Sequence, residues 1–449
     1  MTGLPVPFVF APKGNFPMKH LQRETAIVVY PLLIFYVLLV VRSAWISDDG
    51  MITFRVVENF LAGYGLGYNP FVRVQVFTHP LWMFVISLPY FVAGLFVSSA
   101  PNALFYIMVF LSVLFSLLAV FLLLSRISKP GLLPLGLAVL MLSLSNGFID
   151  FSTSGMENPL THFLLAVFVV AYLAENPNLF LLSLLSSLIM LNRADSLVLV
   201  APALAYAWWT SAQRKSNLVK IFVGLIPMLL WELFSLFYFG FPFPNTAYAK
   251  LNTGVSGVSL ALQGFDYFLN SINWDPIVFF SIGLAGVTLF FERNGKFIFL
   301  FAGVLLYLAY IVKIGGDFMA GRFLTAPLFL STAIISNQLA AKRSQLVGLG
   351  VAILLGAFSL RSPLWASNMV LYLPTYPISD HNRISDQRLH YFGNDNKGQY
   401  NSFVENGFLN PELGSEFAGG EWHFTGFRQV YVADALGKPG YKKGPNIYV

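Results

Sequence analysis

The stretch Ala103–Leu124, ALFYIMVFLSVLFSLLAVFLLL, is apolar throughout and contains no charged side chain. Apolar runs of about 18 or more residues are typical of helices that cross a lipid bilayer. Such runs recur along most of the 449-residue chain, which is 56% hydrophobic and contains 45 Phe and 20 Tyr. Because the runs are continuous rather than alternating, the sequence predicts an all-α polytopic integral membrane protein.

The runs predict eleven spans and one shorter segment. The short basic loops at Arg126–Lys129, Arg214–Lys220, Glu292–Lys296 and Lys342–Arg343 are expected in the cytoplasm, together with the N-terminal segment 1–25, read as an uncleaved anchor. If His79–Val97 crossed the membrane fully, the basic loop Arg126–Lys129 would lie outside the cytoplasm. With Pro89 near its middle, this stretch is predicted to be re-entrant. The spans are Ala26–Arg42, Ala103–Leu124, Leu132–Ser145, Leu160–Ala174, Leu179–Leu191, Leu197–Trp209, Leu218–Phe239, Pro276–Phe291, Phe297–Val312, Phe323–Leu339 and Leu346–Leu360.

Composition narrows the classes of function. The net charge of +6 comes from short basic loops, and no basic stripe of the kind that nucleic acid requires is present. The chain has no cysteine, and its six histidines show no metal-ligand spacing, so neither a metal nor a cofactor is predicted. Glycine-rich nucleotide-binding motifs are also missing. The membrane domain is expected over 26–360, followed by a C-terminal region, 361–449, of soluble composition.

Two adjacent carboxylates, Asp48 and Asp49, follow the first span and are the leading catalytic candidates. Like charges in contact repel each other and raise a pKa, so the pair is unusual in a chain with few acids. The alternative is that one of them caps an amphipathic helix, Met51–Leu61, which Gly63 would end. Asp48 ranks first as the general base, because Asp49 is equally well placed to cap that helix.

Other polar clusters fall on the side opposite the basic loops. Charged groups near membrane depth usually face a cavity or pair with one another. Cations there could hold the phosphate of a lipid-linked substrate, and the candidates are Arg55, Lys250, Arg322, Lys313 and Arg193. The remaining candidates for the substrate pocket are His79, Trp82, Glu157, Asn158, Asp195, Asn245, Tyr248 and Asp317. The alternative is that Arg193–Asp195 and Asp317–Arg322 are structural ion pairs.

Taken in order, these motifs resemble the GT-C glycosyltransferases, and among them the membrane arabinofuranosyltransferases that cap arabinan. The resemblance rests on Asp48-Asp49, GYGLGYNP at 63–70, RVQVFTHPLW at 73–82, SGMEN at 154–158, NRAD at 192–195, PNTAYAK at 244–250, GGDFMAGR at 315–322, RISDQR at 383–388 and ADALG at 433–437. It implies a polyprenyl-phosphoryl-arabinofuranose donor and a site on the periplasmic side of a bacterial inner membrane. It also implies a catalytic aspartate in the first outer loop, about 43–78, which matches Asp48 or Asp49.

The size of the chain bears on the acceptor. The chain ends soon after Gly437, and its size is similar to that of the smaller relatives that attach arabinofuranose to type IV pilin, which implies a Ser or Thr hydroxyl of a pilin-like protein. Alternatives are an arabinan, other polysaccharide or lipid acceptor, or another lipid-linked sugar. A flippase for a lipid-linked sugar is the alternative from a different class. The residues leave open whether the configuration at the sugar is retained or inverted.

Overall fold

The structure is a computed structural model that describes residues 23–70, 72–96, 103–251, 254–357, 359, 362–364, 384–388, 419–422 and 430–433. In these ranges the chain forms sixteen α-helices and two short strands. They are α1 (Arg23–Arg42), α2 (Asp48–Leu61), α3 (Pro80–Gly94), α4 (Ala103–Leu122), α5 (Leu132–Ser143), α6 (Asn146–Asp150), α7 (Asn158–Leu173), α8 (Leu179–Asn192), α9 (Leu197–Trp209), α10 (Arg214–Phe239), α11 (Asn245–Leu251), α12 (Gly257–Trp274), α13 (Pro276–Glu292), α14 (Gly295–Ile314), α15 (Thr325–Gln338), α16 (Lys342–Ala357), β1 (Gly419–Trp422) and β2 (Val430–Ala433).

The predicted helical class is confirmed, since each of the eleven apolar runs forms a helix. Three helical segments are long and apolar enough to cross a membrane: Ala103–Ile127, Arg214–Phe239 and Gly295–Ile314. The helices α12 and α13 meet at 103° and qualify as a fourth when they are counted as one broken span. Six more apolar helices are shorter. The protein is therefore a helical membrane protein, while the number of eleven crossings stays a prediction.

The predicted re-entrant stretch forms α3, which begins at Pro80 and contains Pro89. It lies beside α2, because Phe84 packs edge-on against Phe60 with the ring centres 5.8 Å apart. The Tyr90 hydroxyl also donates to Glu58 of α2 at 3.5 Å. The position of α3 relative to a membrane stays a prediction.

Close packing of small residues fixes the helix pairs. A Cβ added at Gly303 of α14 would lie 2.0 Å from the Leu199 carbonyl oxygen of α9. One added at Gly224 of α10 would lie 2.6 Å from Ser183 of α8. Glycine at these positions allows the helix backbones to approach closely, as is common between membrane helices.

Polar loops meet at two opposite ends of the helical body. At one end, Lys296 Nζ donates to the Ala174 carbonyl at 2.7 Å, and the Lys129 amide donates to the Ser336 carbonyl at 3.0 Å. At the other end, Trp45 Nε1 donates to the Asp150 carbonyl at 2.7 Å. The basic loops thus lie away from the acidic clusters. The assignment of these ends to cytoplasm and periplasm stays a prediction.

Parts of the C-terminal region contact each other or the helical body. Strands β1 and β2 pair antiparallel, with Gly419 opposite Ala433 and Trp422 opposite Val430. The segment Ile384–Arg388 forms a parallel bridge to Met319 through Ser385. The two short strands add to the helical architecture without changing its class.

Candidate active site

The first turn of α2 carries both candidate aspartates, but neither of them caps the helix. Ser47 is the N-cap, and its Oγ accepts from the Gly50 amide at 3.2 Å. Ser47 is itself held by the Ser154 carbonyl, which accepts from its amide at 2.8 Å and from its hydroxyl at 2.9 Å. The capping alternative for the pair is therefore wrong, and with it the reason for ranking Asp48 above Asp49.

Glu157 is the centre of a buried ion-pair network. Its carboxylate is fully buried and lies 2.7 Å from Arg193 Nη1, 3.1 Å from Arg322 Nη2 and 3.3 Å from His79 Nδ1. Burial alone would raise the pKa of Glu157, but Arg322 and Arg193 outweigh it and hold that pKa far below its usual range. Glu157 is therefore an anion at every physiological pH. We call Glu157, His79, Arg193 and Arg322 the Glu157 network.

His79 joins this network as a neutral side chain. Burial is the main cause that lowers the pKa of His79 to about 4, although Glu157 opposes it. Its Nδ1 faces Glu157, and its Nε2 lies 2.8 Å from the Thr53 hydroxyl. The neutral tautomer that suits both contacts has its proton on Nδ1 and accepts from Thr53 at Nε2. His79 thereby ties α2 to the network.

Arg193 is fully engaged by carboxylates. Its Nε and Nη2 donate to the two oxygens of Asp195 at 2.7 and 3.0 Å, and its Nη1 donates to Glu157. The guanidinium also stacks 4.2 Å from the ring centre of Phe323. Arg193–Asp195 is thus an ion pair within the protein, as the structural alternative proposed.

Arg322 connects the Glu157 network to Asp49. Its Nη1 lies 3.6 Å from Asp317 and 3.9 Å from Asp49, and its Nε has no hydrogen-bond partner among the residues that the structure describes. It follows a turn, Gly315–Gly321, in which Gly315, Gly316 and Gly321 have φ of +82°, +74° and +75°. Only glycine adopts these angles without strain. We call residues 315–321 the glycine loop.

Asp49 is the most accessible acid of the cluster, with 37% of its side chain exposed. Loss of hydration beside the surrounding protein raises the pKa of Asp49 to about 6. Arg322 opposes this rise, whereas Asp317, Asp48 and Glu157 add to it. Asp48, on the same turn, is 9% exposed. At neutral pH Asp49 is thus a carboxylate able to accept a proton.

Three other predicted residues support the backbone around the cluster. Trp82 Nε1 donates to the Gly155 carbonyl at 3.0 Å, and Asn158 Nδ2 donates to the Thr325 hydroxyl at 3.0 Å. Arg55 was a candidate for phosphate binding, but its Nε donates to the Tyr68 carbonyl at 2.8 Å. Its guanidinium also stacks on the Tyr68 ring at 4.6 Å. Arg55 therefore holds the first loop together.

Of the remaining candidates, Asn245, Tyr248 and Lys313 lie apart from the Glu157 network. The Asn245 amide donates to the Gln75 carbonyl at 3.3 Å, and the exposed Tyr248 ring packs against Phe241 at 5.5 Å. Lys313 is exposed in the last turn of α14. Lys250 belongs to α11, and its side chain lies outside the described residues. In the described ranges, no ion pair or hydrogen bond joins Asn245, Tyr248 or Lys313 to the network.

The structure adds a second buried acidic group that the sequence analysis missed. Arg388 Nη1 lies 2.8 Å from Asp150 Oδ1, and Trp274 Nε1 donates to Asp386 at 3.2 Å. Asp275 accepts from the Gly147 amide at 2.9 Å. The available signal was the tail motif at 383–388, whose two described charged residues both contact the helical body. No group of three or more acidic or histidine ligands suited to a metal occurs in the described part of the chain.

Two curated proteins are similar to this chain in sequence. The terminal beta-(1->2)-arabinofuranosyltransferase of Mycobacterium tuberculosis is 28% identical over an alignment of 348 residues, which covers 64% of this chain and 51% of that protein. The protein of the same name from Corynebacterium glutamicum is 28% identical over an alignment of 340 residues, which covers 64% of this chain and 46% of that protein. This chain thus spans about half the length of the curated relatives it matches. No family model matches it.

One solved structure shows the fold. The crystal structure of ArnT from Cupriavidus metallidurans bound to undecaprenyl phosphate covers 78% of this chain and 67% of ArnT, with a TM-score of 0.50 and 14% identity. The predicted GT-C fold is confirmed by this likeness. The resemblance to membrane arabinofuranosyltransferases is confirmed by the two curated relatives.

Proposed function

We propose that this GT-C membrane protein transfers D-arabinofuranose from a polyprenyl-phosphate donor to an acceptor hydroxyl on the periplasmic side of the inner membrane. The observation that carries the proposal is the position of the accessible Asp49 carboxylate, 3.9 Å from the guanidinium of Arg322. A base beside a cation suits a reaction in which a hydroxyl loses a proton while a phosphate leaves. The names of the curated relatives favour arabinofuranose as the sugar. The lipid bound to ArnT favours a polyprenyl phosphate as the carrier.

Asp49 is the proposed general base. The acceptor oxygen attacks C1 of the sugar, its proton passes to Asp49, and the C1–O bond breaks with its electron pair going to the phosphate. A phosphate that is already ionised needs no general acid, but its developing charge needs a fixed cation. Asp49 is preferred to Asp48 because it is more exposed and faces Arg322 directly.

Arg322 is the proposed phosphate-binding cation. Arg193 is less suited, because carboxylates occupy all three of its nitrogens. The Nε of Arg322 is buried and has no hydrogen-bond partner among the described residues, and the longer contacts to Asp317 and Asp49 leave Nη1 room to bind a phosphate oxygen. Lys313 and Lys250 remain further candidates on sequence grounds. Transfer with inversion needs one carboxylate, whereas the adjacent Asp48 also permits a double displacement with retention.

We propose two acceptors for the sugar. The names of the relatives favour the hydroxyl of a terminal arabinofuranose, since both describe a terminal beta-(1->2)-arabinofuranosyltransferase. The hydroxyl of a membrane-tethered, pilin-like protein, which the sequence analysis favoured over an arabinan, is the other proposed acceptor. Confinement to the same bilayer would raise the effective concentration of a membrane-tethered acceptor.

The test supplies the purified protein with polyprenyl phosphates that carry labelled arabinofuranose, aminoarabinose or a hexose, each with an arabinan oligosaccharide or a pilin subunit. We expect only the arabinofuranosyl donor to be consumed, with label appearing in one of the acceptors as a pentose-sized mass increment. Label that moves across a vesicle membrane without a new glycosidic bond would indicate a flippase and contradict the proposal.

A further inference from the structure

The segment Ile384–Arg388 crosses two elements beside the candidate active site, and we call it the strap. Its first contact is with the glycine loop: the Ser385 amide donates to the Phe318 carbonyl at 2.8 Å, and the Ala320 amide donates to the Ser385 carbonyl at 3.0 Å. These two bonds pair the strap with the loop as in a short parallel ladder. The loop gains backbone partners that its own turn does not supply.

The second contact of the strap is with α6. Arg388 is 3% exposed and donates through Nη1 to Asp150, the last residue of that helix, at 2.8 Å. In a buried position, removing one member of such a pair leaves an uncompensated charge, so the pair fixes both partners strongly. The strap therefore ties the end of α6 to the glycine loop.

The helix α6 also contacts the glycine loop directly. A Cβ added at Gly147 would lie 3.4 Å from the Cα of Gly321, so the two backbones are in van der Waals contact. A Cβ added at Gly321 would lie 2.5 Å from the ring of Trp274 and 3.3 Å from the Cα of Gly147. Gly321 is thus closely packed against both α6 and Trp274, and it immediately precedes Arg322.

We propose that the strap is a positioning element of the transfer reaction, in which Arg388 and Ser385 act through the glycine loop to hold Arg322 between Glu157 and Asp49. The loop has three glycines at positive φ and would otherwise explore many conformations. Each contact of Arg322 with Glu157, Asp317 and Asp49 depends on where that loop lies. The proposal rests on the function proposed above, because Arg322 is the donor-binding cation there.

The variants are Arg388→Gln, which removes the ion pair with Asp150, and Ser385→Pro, which removes the amide that donates to Phe318. Arg388→Lys tests rescue by charge, and Arg343→Gln, an exposed arginine in the first turn of α16, is the matched control. Two measurements are made on the full chain in detergent or nanodiscs. The first is hydrogen exchange of the Ala320 amide, and the second is the steady-state kinetics of transfer.

We expect exchange at Ala320 to become about tenfold faster or more in Arg388→Gln, since a lost hydrogen bond to a charged group changes an equilibrium by that order. In Ser385→Pro, which loses a neutral backbone hydrogen bond, exchange should become at least several-fold faster. The KM for the lipid donor should rise by a similar factor while the KM for the acceptor stays constant. Arg388→Lys should restore part of both values, and Arg343→Gln should match the wild type. A general loss of folded protein would lower the amount of active enzyme and leave both KM values unchanged.

Unchanged Ala320 exchange in both strap variants would overturn the inference, and so would a rise in the two KM values together. The exchange measurement needs no turnover. Faster Ala320 exchange in a protein that transfers no sugar in the wild-type form would therefore support the strap and contradict the proposed function instead.

Discussion

At the scale of single residues, the titration of Asp49 makes the proposed base testable. The pKa of Asp49 is raised from 3.8 to about 6, so the carboxylate form dominates above pH 6 and is lost as the pH falls below it. We expect kcat/KM to fall about tenfold per pH unit below an apparent pKa near 6. The measurement is the pH profile of transfer under conditions in which the fold persists. An acid limb near pH 4, the range of an ordinary aspartate, would contradict the role of Asp49.

Arg322 should control where that acid limb lies. Its guanidinium is the group that lowers the pKa of Asp49, against Asp317, Asp48 and Glu157, which raise it. Arg322→Gln should therefore move the acid limb to higher pH, whereas Arg322→Lys should leave it close to its wild-type position. Residual activity in both variants is sufficient, because the comparison depends on the shape of the pH profile and not on the absolute rate. Identical acid limbs in the two variants would show that Arg322 does not face the base.

Glu157 stabilises the folded protein and has no proposed role in proton transfer. Its carboxylate compensates the buried Arg193 and Arg322, and breaking a buried ion pair typically costs about 3–5 kcal/mol. Glu157→Gln should lower the melting temperature sharply, while Glu175→Gln, an exposed control, should leave it unchanged. Thermal unfolding in detergent gives both values. Equal melting temperatures for the two variants would mean that the network contributes little.

The residues of the Glu157 network could be proposed from the sequence, but their partners could not. His79, Glu157, Arg193 and Arg322 all belong to polar clusters between apolar runs, and charge next to membrane helices marked them. Their meeting at one carboxylate depends on tertiary packing over as many as 243 positions, from His79 to Arg322. The same packing placed Arg55 in contact with Tyr68, away from the network.

At the scale of elements, the N-terminus of α2 contains one residue that stabilises the helix, Ser47, and one that is proposed to react, Asp49. Ser47 accepts from the Gly50 amide, and losing such an N-cap costs about 1 kcal/mol. Ser47→Ala should lower the melting temperature modestly and keep kcat within a few-fold of the wild type. Asp49→Asn should do the reverse. Loss of turnover in Ser47→Ala at full stability would mean that the serine, and not the aspartate, takes part in the reaction.

The helix α12 is absent from the predicted spans because it is amphipathic. Its exposed apolar residues recur at helical spacing, while polar residues between them lower the hydropathy of the whole segment. The helix α12 therefore contains no continuous apolar run of the length that predicts a span. The periodicity is nevertheless visible in the sequence, and a scan for amphipathic helices would have predicted it. These residues are Val258, Leu262, Phe265, Leu269 and Ile272.

At the scale of the whole molecule, hydropathy predicted the helical body because every apolar run is long enough to form a helix. It could not predict how the tail docks, since the contacts of Asp386 and Arg388 with Trp274 and Asp150 join distant parts of the chain. The candidate active site draws residues from α2, the loops before α3, α7 and α9, and the glycine loop. The site is thus a product of the whole membrane domain.

The most direct test of the central claim measures turnover of polyprenyl-phosphoryl-arabinofuranose by wild-type protein, Asp49→Asn and Asp48→Asn, each purified into vesicles with the same acceptor. The account predicts that Asp49→Asn loses on the order of 10²–10⁴ in rate while it still binds the lipid donor, because a general base contributes about that much. Asp48→Asn should lose less. Wild-type turnover by Asp49→Asn would contradict the account.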